Sequence, residues 1–434
     1  MTVLDSFGFK IFRLREVKDS DEFLLFDKVR RTFNQYNEKR LLKVLDCELY
    51  NKGINYKQIA IDKLNYDERV KPESLLREWS YHELKLIDNL GYKPMNEMIF
   101  EENNKFLFNM YSVSELSSKK DYADKDWNLI KELIMNLVSN NKNEFHYFTC
   151  WLAWQIKNPL RRLPTSIILQ GEQGTGKTKF CELVLKNIFD RNFCEIGQAD
   201  INKEYNDFIV GKQLIVANEV IHNDNKFLVP DKLKNYVTDE YLSINRKFKD
   251  TIYVKNYSQW IFVTNNDMPL KIDKDDRRYS IFKSKKLKDG FKLIKELLND
   301  LDNQLEGFIY YLNNLDIEYE FVATPLMNDA KEDLIKLSQN SVEEFVEHIK
   351  EIGGIDSFSK EYNSNVSFTD SPKGICVLTD VFYELYLRYC NRSGIKHIFT
   401  RRNFTSQLKK IGFIADVVKI DEKATRVILL SGVD

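Results

Sequence analysis

At 434 residues the chain is long enough for two or three domains, each with its own core. Its 65 Lys and Arg nearly cancel 66 Asp and Glu, giving a net charge of −1, which excludes nucleic-acid binding through a global positive field and leaves only local basic segments for that task. No stretch is apolar and long enough to cross a membrane, and the first residues lack the basic-then-apolar pattern of a signal peptide, so a cytoplasmic protein is expected. The six cysteines (Cys47, Cys150, Cys181, Cys194, Cys376, Cys390) form no C-x-x-C pair and do not group with the five histidines. This argues against a zinc site and for reduced core thiols.

Residues 1–120 are expected to form a mostly helical packing or partner-binding domain. Phe23, Leu24, Phe26, Val29 and Phe33 recur at mostly helical spacing. Pro72 opens a second helix through Leu75, Leu76, Trp79, Leu84 and Ile87, ending near Gly91, and residues 106–112 read as a short strand. No pair of spaced carboxylates with a nearby histidine marks a primase centre. From 121 to 160 come helices carrying Trp127, Leu129, Ile130, Leu133, Ile134 and Leu137, then Phe145, Phe148, Trp151, Leu152, Trp154 and Ile156, which Asn158-Pro159 ends.

The short apolar run 166–169 reads as a strand buried on both faces, and residues 179–189 as a helix with Phe180, Leu183, Val184 and Ile188 on one side. Between them stands Gly171-Glu172-Gln173-Gly174-Thr175-Gly176-Lys177-Thr178, followed by Lys179. The glycines permit a tight backbone whose N–H groups, with the helix N-terminus, cradle phosphate. Lys177 reaches the outer phosphates, and the Thr178 hydroxyl is placed for magnesium. ATP and Mg2+ are the expected ligands.

A second apolar strand, 214–218, ends in Asn218 and Glu219. Glu219 is the candidate to orient magnesium and polarise the attacking water, with the Asn218 carbonyl assisting at the metal. Residues 241–254 read as two strands around a basic, aromatic tip, Arg246, Lys247, Phe248 and Lys249, which has charge for phosphates and a ring for a base or sugar. The next strand, 259–264, closes in Asn265 and Asn266, either of which can bond both phosphate and water. Arg277 and Arg278 precede a further apolar segment and offer charge to phosphoryl transfer from a neighbouring subunit.

Beyond helices around Leu297, Leu305 and Leu312, Ser341 and Glu344 read as a capping box, and residues 356–374 as a polar loop. Thr379 and Asp380 cap a helix through Phe382, Leu385, Tyr386 and Tyr389. After Gly394, Thr400 caps a second helix bearing Arg401, Arg402, Phe404, Leu408, Lys409 and Lys410, which ends near Gly412. Strands at 413–420 and 425–430 follow. Helix, turn, basic helix and hairpin make a winged helix-turn-helix arrangement with Arg401 and Arg402 at the start of the recognition helix.

The ordered set of phosphate loop, Ile215-Val216-Ala217-Asn218-Glu219, Asn245 to Lys249, Val263-Thr264-Asn265-Asn266 and Asp276-Arg277-Arg278 resembles the superfamily 3 helicases. It is most similar to the helicase part of phage, mobile-element and poxvirus-type primase-helicases. The resemblance runs from about residue 105 onward and implies an α/β fold: an AAA+ type phosphate-loop ATPase domain with a parallel sheet at 121–325, and a winged-helix DNA-binding domain at 326–434. It further implies a homo-hexameric ring with ATP between subunits and a hairpin per subunit on one DNA strand. Lys177, Thr178, Glu219, Asn265 or Asn266, and Arg278 or Arg277 fall on the catalytic positions. Lys247 and Lys249 match the basic hairpin. The expectation is an ATP-dependent replicative DNA helicase of 3′ to 5′ polarity from a phage or mobile element, working with replication partner proteins and able to bind its origin. The alternative is an initiator or helicase loader that does not itself unwind, and an RNA-directed relative would keep the same ATP chemistry.

Overall fold

The computed structural model describes residues 3–14, 22–28, 32–64, 67, 69–82, 85–94, 97–118, 125–219, 228–247, 249–266, 272–362, 368–371, 374–395, 398–420 and 423–429. It is a mixed α/β protein of two compact units, residues 1–269 with 277–328, and residues 270–276 with 329–434.

At the centre of the first unit lies an all-parallel sheet of β1 (Ser166–Gln170), β2 (Phe193–Gly197), β3 (Leu214–Asn218), β4 (Gln259–Thr264) and β5 (Tyr279–Lys283), in the order β5-β1-β4-β3-β2. The strands read as unbroken apolar runs because both faces are covered. Ile167, Leu169, Val216, Ile261 and Val263 pack with the helices Asn128–Leu137, Lys142–Lys157 and Leu301–Asn314. On the opposite face the Trp260 ring stacks on Tyr236, centroids 5.5 Å apart. The register aligns Leu169, Val263 and Asn218 across three strands, so β1, β4 and β3 end together at one edge. The helix after β1 starts at Lys177 and takes a π turn across Cys181–Leu185 before Lys186–Phe189.

The N-terminal part of this unit corrects the expectation of a mostly helical region. Phe9–Leu14, Glu22–Asp27, Thr32–Asn37 and Lys85–Ile87 form a four-stranded sheet, and Asn89–Gly91, Ile99–Glu102 and Lys105–Asn109 a three-stranded one. The stretch read as a helix around Phe23 and Phe33 is two strands. Its apolar residues are consecutive because Phe23 and Leu25 face one core cluster while Leu24 faces another. The helix opened by Pro72 is present but stops at His82, and Ile87 belongs to a strand.

In the second unit the capping box lies one residue upstream of Ser341: Asn340 caps the helix Ser341–Glu351, with Glu343 returning the bond. The segment read as a polar loop contains a helix, Ile355–Glu361, anchored by Ile355 and Phe358, and a strand, Phe368–Ser371. Helices Thr379–Arg392 and Arg401–Lys410 and the hairpin Ile414–Ile420 with Lys423–Leu429 follow. Gly374–Leu378 pairs with the last of these strands, extending the hairpin into a four-stranded sheet.

Candidate functional site

The loop between β1 and its helix is held by its glycines and by two neighbours. Gly171, Gly174 and Gly176 all have positive φ, at 148°, 80° and 90°. A Cβ on Gly171 would come within 2.3 Å of Ser284 Oγ, and one on Gly176 within 2.5 Å of Leu133 Cδ1. Ser284 Oγ lies 2.9 Å from both Gln170 O and Thr175 Oγ1, and the Asn136 amide donates to Thr175 O and Lys285 O at 2.9 and 2.5 Å. Two buried polar side chains remote in sequence therefore fix the loop, each hydrogen bond contributing about 1 kcal/mol net.

Lys177 is 4% exposed, and its ammonium donates to Gly171 O (2.6 Å), Glu172 O (2.8 Å), Thr175 Oγ1 (3.0 Å) and Asn265 Oδ1 (3.0 Å). Burial lowers its pKa below the usual lysine value, against the pull of the Glu219 carboxylate. Asn265 is shared, since its amide nitrogen donates to Glu219 Oε1 at 2.7 Å. Glu219 follows β3 with a left-handed φ of 53°, and its N–H donates to Val263 O at 2.8 Å. That bend lies outside the favoured L-residue region and turns the carboxylate from the strand axis toward β4. The lysine, amide and carboxylate thus form one connected line across the ends of β1, β4 and β3.

Asn266 uses its backbone instead, donating N–H to Thr264 Oγ1 and accepting from Gln170 Nε2. Glu172, Gln173, Thr178 and Lys179 are exposed, Lys179 paired with Glu182 at 2.6 Å. The Asn218 amide nitrogen donates to the Glu195 carboxylate on β2, while its Oδ1 is buried without a hydrogen-bond partner among the described residues. Arg277 is exposed; the Arg278 guanidinium lies 5.4 Å from the Tyr279 ring centroid, and its carbonyl accepts from Ser166 N. Both arginines precede β5, so they stand at the amino ends of strands whose carboxyl ends carry Lys177 and Asn265.

The basic hairpin is formed by Tyr241–Arg246 and Lys249–Lys255, with Arg246 opposite Lys249 and an irregularity between Ile244 and Arg246. Lys247 is exposed; Phe248 and the Lys249 side chain lie outside the described residues. Asn206, buried, grips the hairpin by accepting from Asn245 N (2.7 Å) and donating to Ser243 O (3.0 Å). Asn136, Ser284, Glu195 and Asn206 carry no local sequence signal. Their roles exist only through partners 23 or more residues away.

In the second unit Thr400 caps the basic helix by accepting from Asn403 N. Arg401, Arg402, Lys409 and Lys410 are exposed, Arg401 in an ion pair with Asp380. Arg401, Arg402, Thr405, Lys409 and Arg426 line an open groove of about 710 Å³ between this helix and the hairpin, with Asp416 its acidic member.

Among the described residues no helix is long and apolar enough to cross a membrane. A family of unknown function, DUF5906, matches residues 169–278, which contain the glycine-rich loop 171–178, Glu219, the hairpin and Asn265. A protein named DNA primase-polymerase from Nitratiruptor phage NrS-1 is 28% identical over 254 residues, 58% of this chain. The chain spans about a third of that relative's length, 35%. Apo structures of the NrS-1 C-terminal region match the fold. One has a TM-score of 0.70 at 18% identity, covering 98% of this chain and 97% of that one; a second has 0.68 at 18%, covering 98% of both.

Proposed function

We propose that this chain is an ATP-driven DNA-unwinding motor of phage or mobile-element replication, an AAA+ type superfamily 3 helicase with a winged-helix reader at its C-terminal end. The observation that carries the reading is the line Lys177–Asn265–Glu219. It joins a phosphate-loop lysine to an acid through one amide, on a strand inserted between theirs. The backbone of residues 171–176 would cradle the phosphates with Lys177 on the outer ones, while Glu219 would hold the attacking water and Asn265 sense what lies between them. Lys179, paired outward with Glu182, would border the nucleotide.

The donor set fits magnesium carried in with phosphates. Among the described residues no three His, Cys, Asp or Glu side chains gather to hold a metal by themselves, and Thr178, Glu219 and Asn218 are few enough to need phosphate and water beside them. When bound, the ion neutralises charge developing on the phosphate oxygens.

Arg278, with Arg277 beside it, precedes β5, a five-residue strand about 17 Å long, at the end opposite the loop. That distance favours action on a neighbouring subunit's nucleotide, hence a ring, with six subunits the proposed number. Arg246, Lys247, Phe248 and Lys249 would grip one DNA strand, and Arg401, Arg402, Lys409 and Lys410 would face duplex DNA from the groove. The phage relative and the NrS-1 folds support a place in phage DNA replication.

The test is strand displacement on forked DNA by purified protein with ATP, comparing 3′ and 5′ tails, beside Lys177→Ala. Displacement needing a 3′ tail, and loss of hydrolysis by about a hundred-fold or more in the variant, is the expected result. Retained hydrolysis in Lys177→Ala would overturn the phosphate-loop assignment. DNA-stimulated hydrolysis without displacement would replace the motor with a loader or initiator.

A further inference from the structure

The hairpin stem carries a feature that the basic tip does not explain. Along its exposed face run Tyr241, Ser243, Thr251, Tyr253 and Lys255, alternating with Leu242 and Ile244, which are buried. Tyr241 and Tyr253 sit diagonally across the two strands and stack face to face, with centroids 5.7 Å apart and planes 8° from parallel. Yet Tyr241 is 45% and Tyr253 74% exposed. Two large rings ordered against each other but left in water are an unusual use of apolar surface, since a tyrosine pair gains most when buried.

Beside them is a cleft of about 330 Å³ between the hairpin and the three-stranded sheet of residues 89–109. Its residues include Tyr92, half-buried, and Tyr257, buried, with Tyr241, Tyr253, Lys105 and Lys255. That volume is at the low end for sites that take small planar groups. Glu102 also lines the cleft, and Lys255 is 3.4 Å from Glu240 at its mouth, so the charge is mixed. The hairpin then runs on toward Arg246 and Lys247. From Tyr241 to Arg246 is about 17 Å along the strand, the span of about five stacked nucleotides.

We propose that the Tyr241–Tyr253 pair and the adjoining cleft form a base-stacking platform for single-stranded nucleic acid, continuous with the basic hairpin tip. The proposal rests on the reading of this chain as a nucleic-acid motor, and adds to it a contact with bases where the tip offers contacts with phosphates. Stacking on a ring tolerates any base, which suits a protein that must move along arbitrary sequence. Lys105 and Lys255 flank the rings where a backbone would pass.

The experiment titrates the full chain against a single-stranded oligodeoxynucleotide carrying aminopurine, reading anisotropy for affinity and aminopurine quenching for stacking. Tyr253→Leu keeps the apolar bulk and removes the ring, and at so exposed a position it should fold as the parent does. The expected result is affinity about ten-fold weaker and quenching lost in Tyr253→Leu, with both retained in Tyr253→Phe. Its salt dependence should match the parent's, whereas Arg246→Ala should lower the salt slope by about one. Unchanged affinity and quenching in Tyr253→Leu overturns the platform and leaves the motor reading standing. Altered sedimentation with unchanged quenching gives the face to a second copy of the chain and overturns it too. Absence of any binding by the parent protein overturns both readings.

Discussion

Two glycines of the loop 171–178, alike in backbone and unlike in surroundings, allow the packing around the loop to be weighed directly. Gly174 and Gly176 have φ of 80° and 90°, so alanine at either bears the left-handed penalty, about 1–2 kcal/mol. Around Gly174 a Cβ meets no atom of the described residues within 4 Å, and strain is the cost. At Gly176 the new carbon would lie 2.5 Å from Leu133 Cδ1 and 3.2 Å from Leu287 Cδ1, and Leu133 is fully buried. Overpacking adds about 1–3 kcal/mol, giving a total of about 2–5 kcal/mol. At about 2–4 °C per kcal/mol, nucleotide-free thermal unfolding should fall by about 2–8 °C in Gly174→Ala and by about 4–20 °C in Gly176→Ala, with the second shift the larger because the backbone strain is common to both. The contact can be isolated further by adding Leu133→Ala. Alone it costs about 2–5 kcal/mol, but in the Gly176→Ala background it should cost about 1–2 kcal/mol less, because the cavity it opens receives the new methyl. If the two alanine variants melt together, or the Leu133 cycle is additive, the loop is not packed against the Asn128–Leu137 helix as described.

Asn206→Ala removes both side-chain bonds to the hairpin at its irregularity, leaving the Asn206 N–H on Asn245 O, and should raise the amide exchange of residues 243–246 by about ten-fold or more, with little change in the central sheet; uniform exchange across both would refute the anchoring role. Of the six cysteines Cys47 is exposed, Cys194 half-buried, and Cys150, Cys181, Cys376 and Cys390 buried, so native titration with a thiol reagent at pH 8 should label Cys47 fast, Cys194 more slowly and the other four only on unfolding. Burial pushes the Cys150 thiol up to about 11 from an ordinary value of 9, so raising the pH to about 10 should not release it. The sign for stability follows: between about 9 and 11 the unfolded chain loses this proton first, and folding weakens as pH climbs through that window. Fast labelling of Cys150 at pH 8, located by peptide mapping, would contradict the packing of the Lys142–Lys157 helix.

How far the sequence could be read depended on whether a residue's role was local. The loop 171–178 is legible because its glycines, Lys177 and Thr178 stand adjacent in the sequence, the pattern that the proposed anion cradle requires. β3 and β4 are legible as apolar runs ending in polar residues, but the choice between Asn265 and Asn266 needed three dimensions: Asn265 is the one whose side chain meets both Lys177 and Glu219. The N-terminal strands misled because the sheet is packed on both sides. With Phe9, Ile11, Phe23 and Leu25 in one cluster and Phe12, Leu14 and Leu24 in another, the period of two disappears, and the clustered apolar residues read as helical spacing. Asn136 and Ser284 were silent for another reason. Nothing beside them in sequence distinguishes a buried amide that braces Thr175 from one on the surface.

The joint between the hairpin and β4 is only three residues long, Asn256, Tyr257 and Ser258. The Asn256 amide donates to Tyr236 O and Asp239 O while its Oδ1 takes bonds from the Ser258 N–H and hydroxyl, so the joint has no slack. Beyond it, β4 is hydrogen-bonded on both sides and buried along its whole length, which prevents it from sliding. A single inserted residue here would disrupt the bonds that Asn256 makes to Tyr236, Asp239 and Ser258 and loosen the hold of the sheet on the stem. Related chains are therefore expected to hold this spacer constant in length, and a count of residues between hairpin and sheet, taken across many of them, would show the constraint as directly as any substitution.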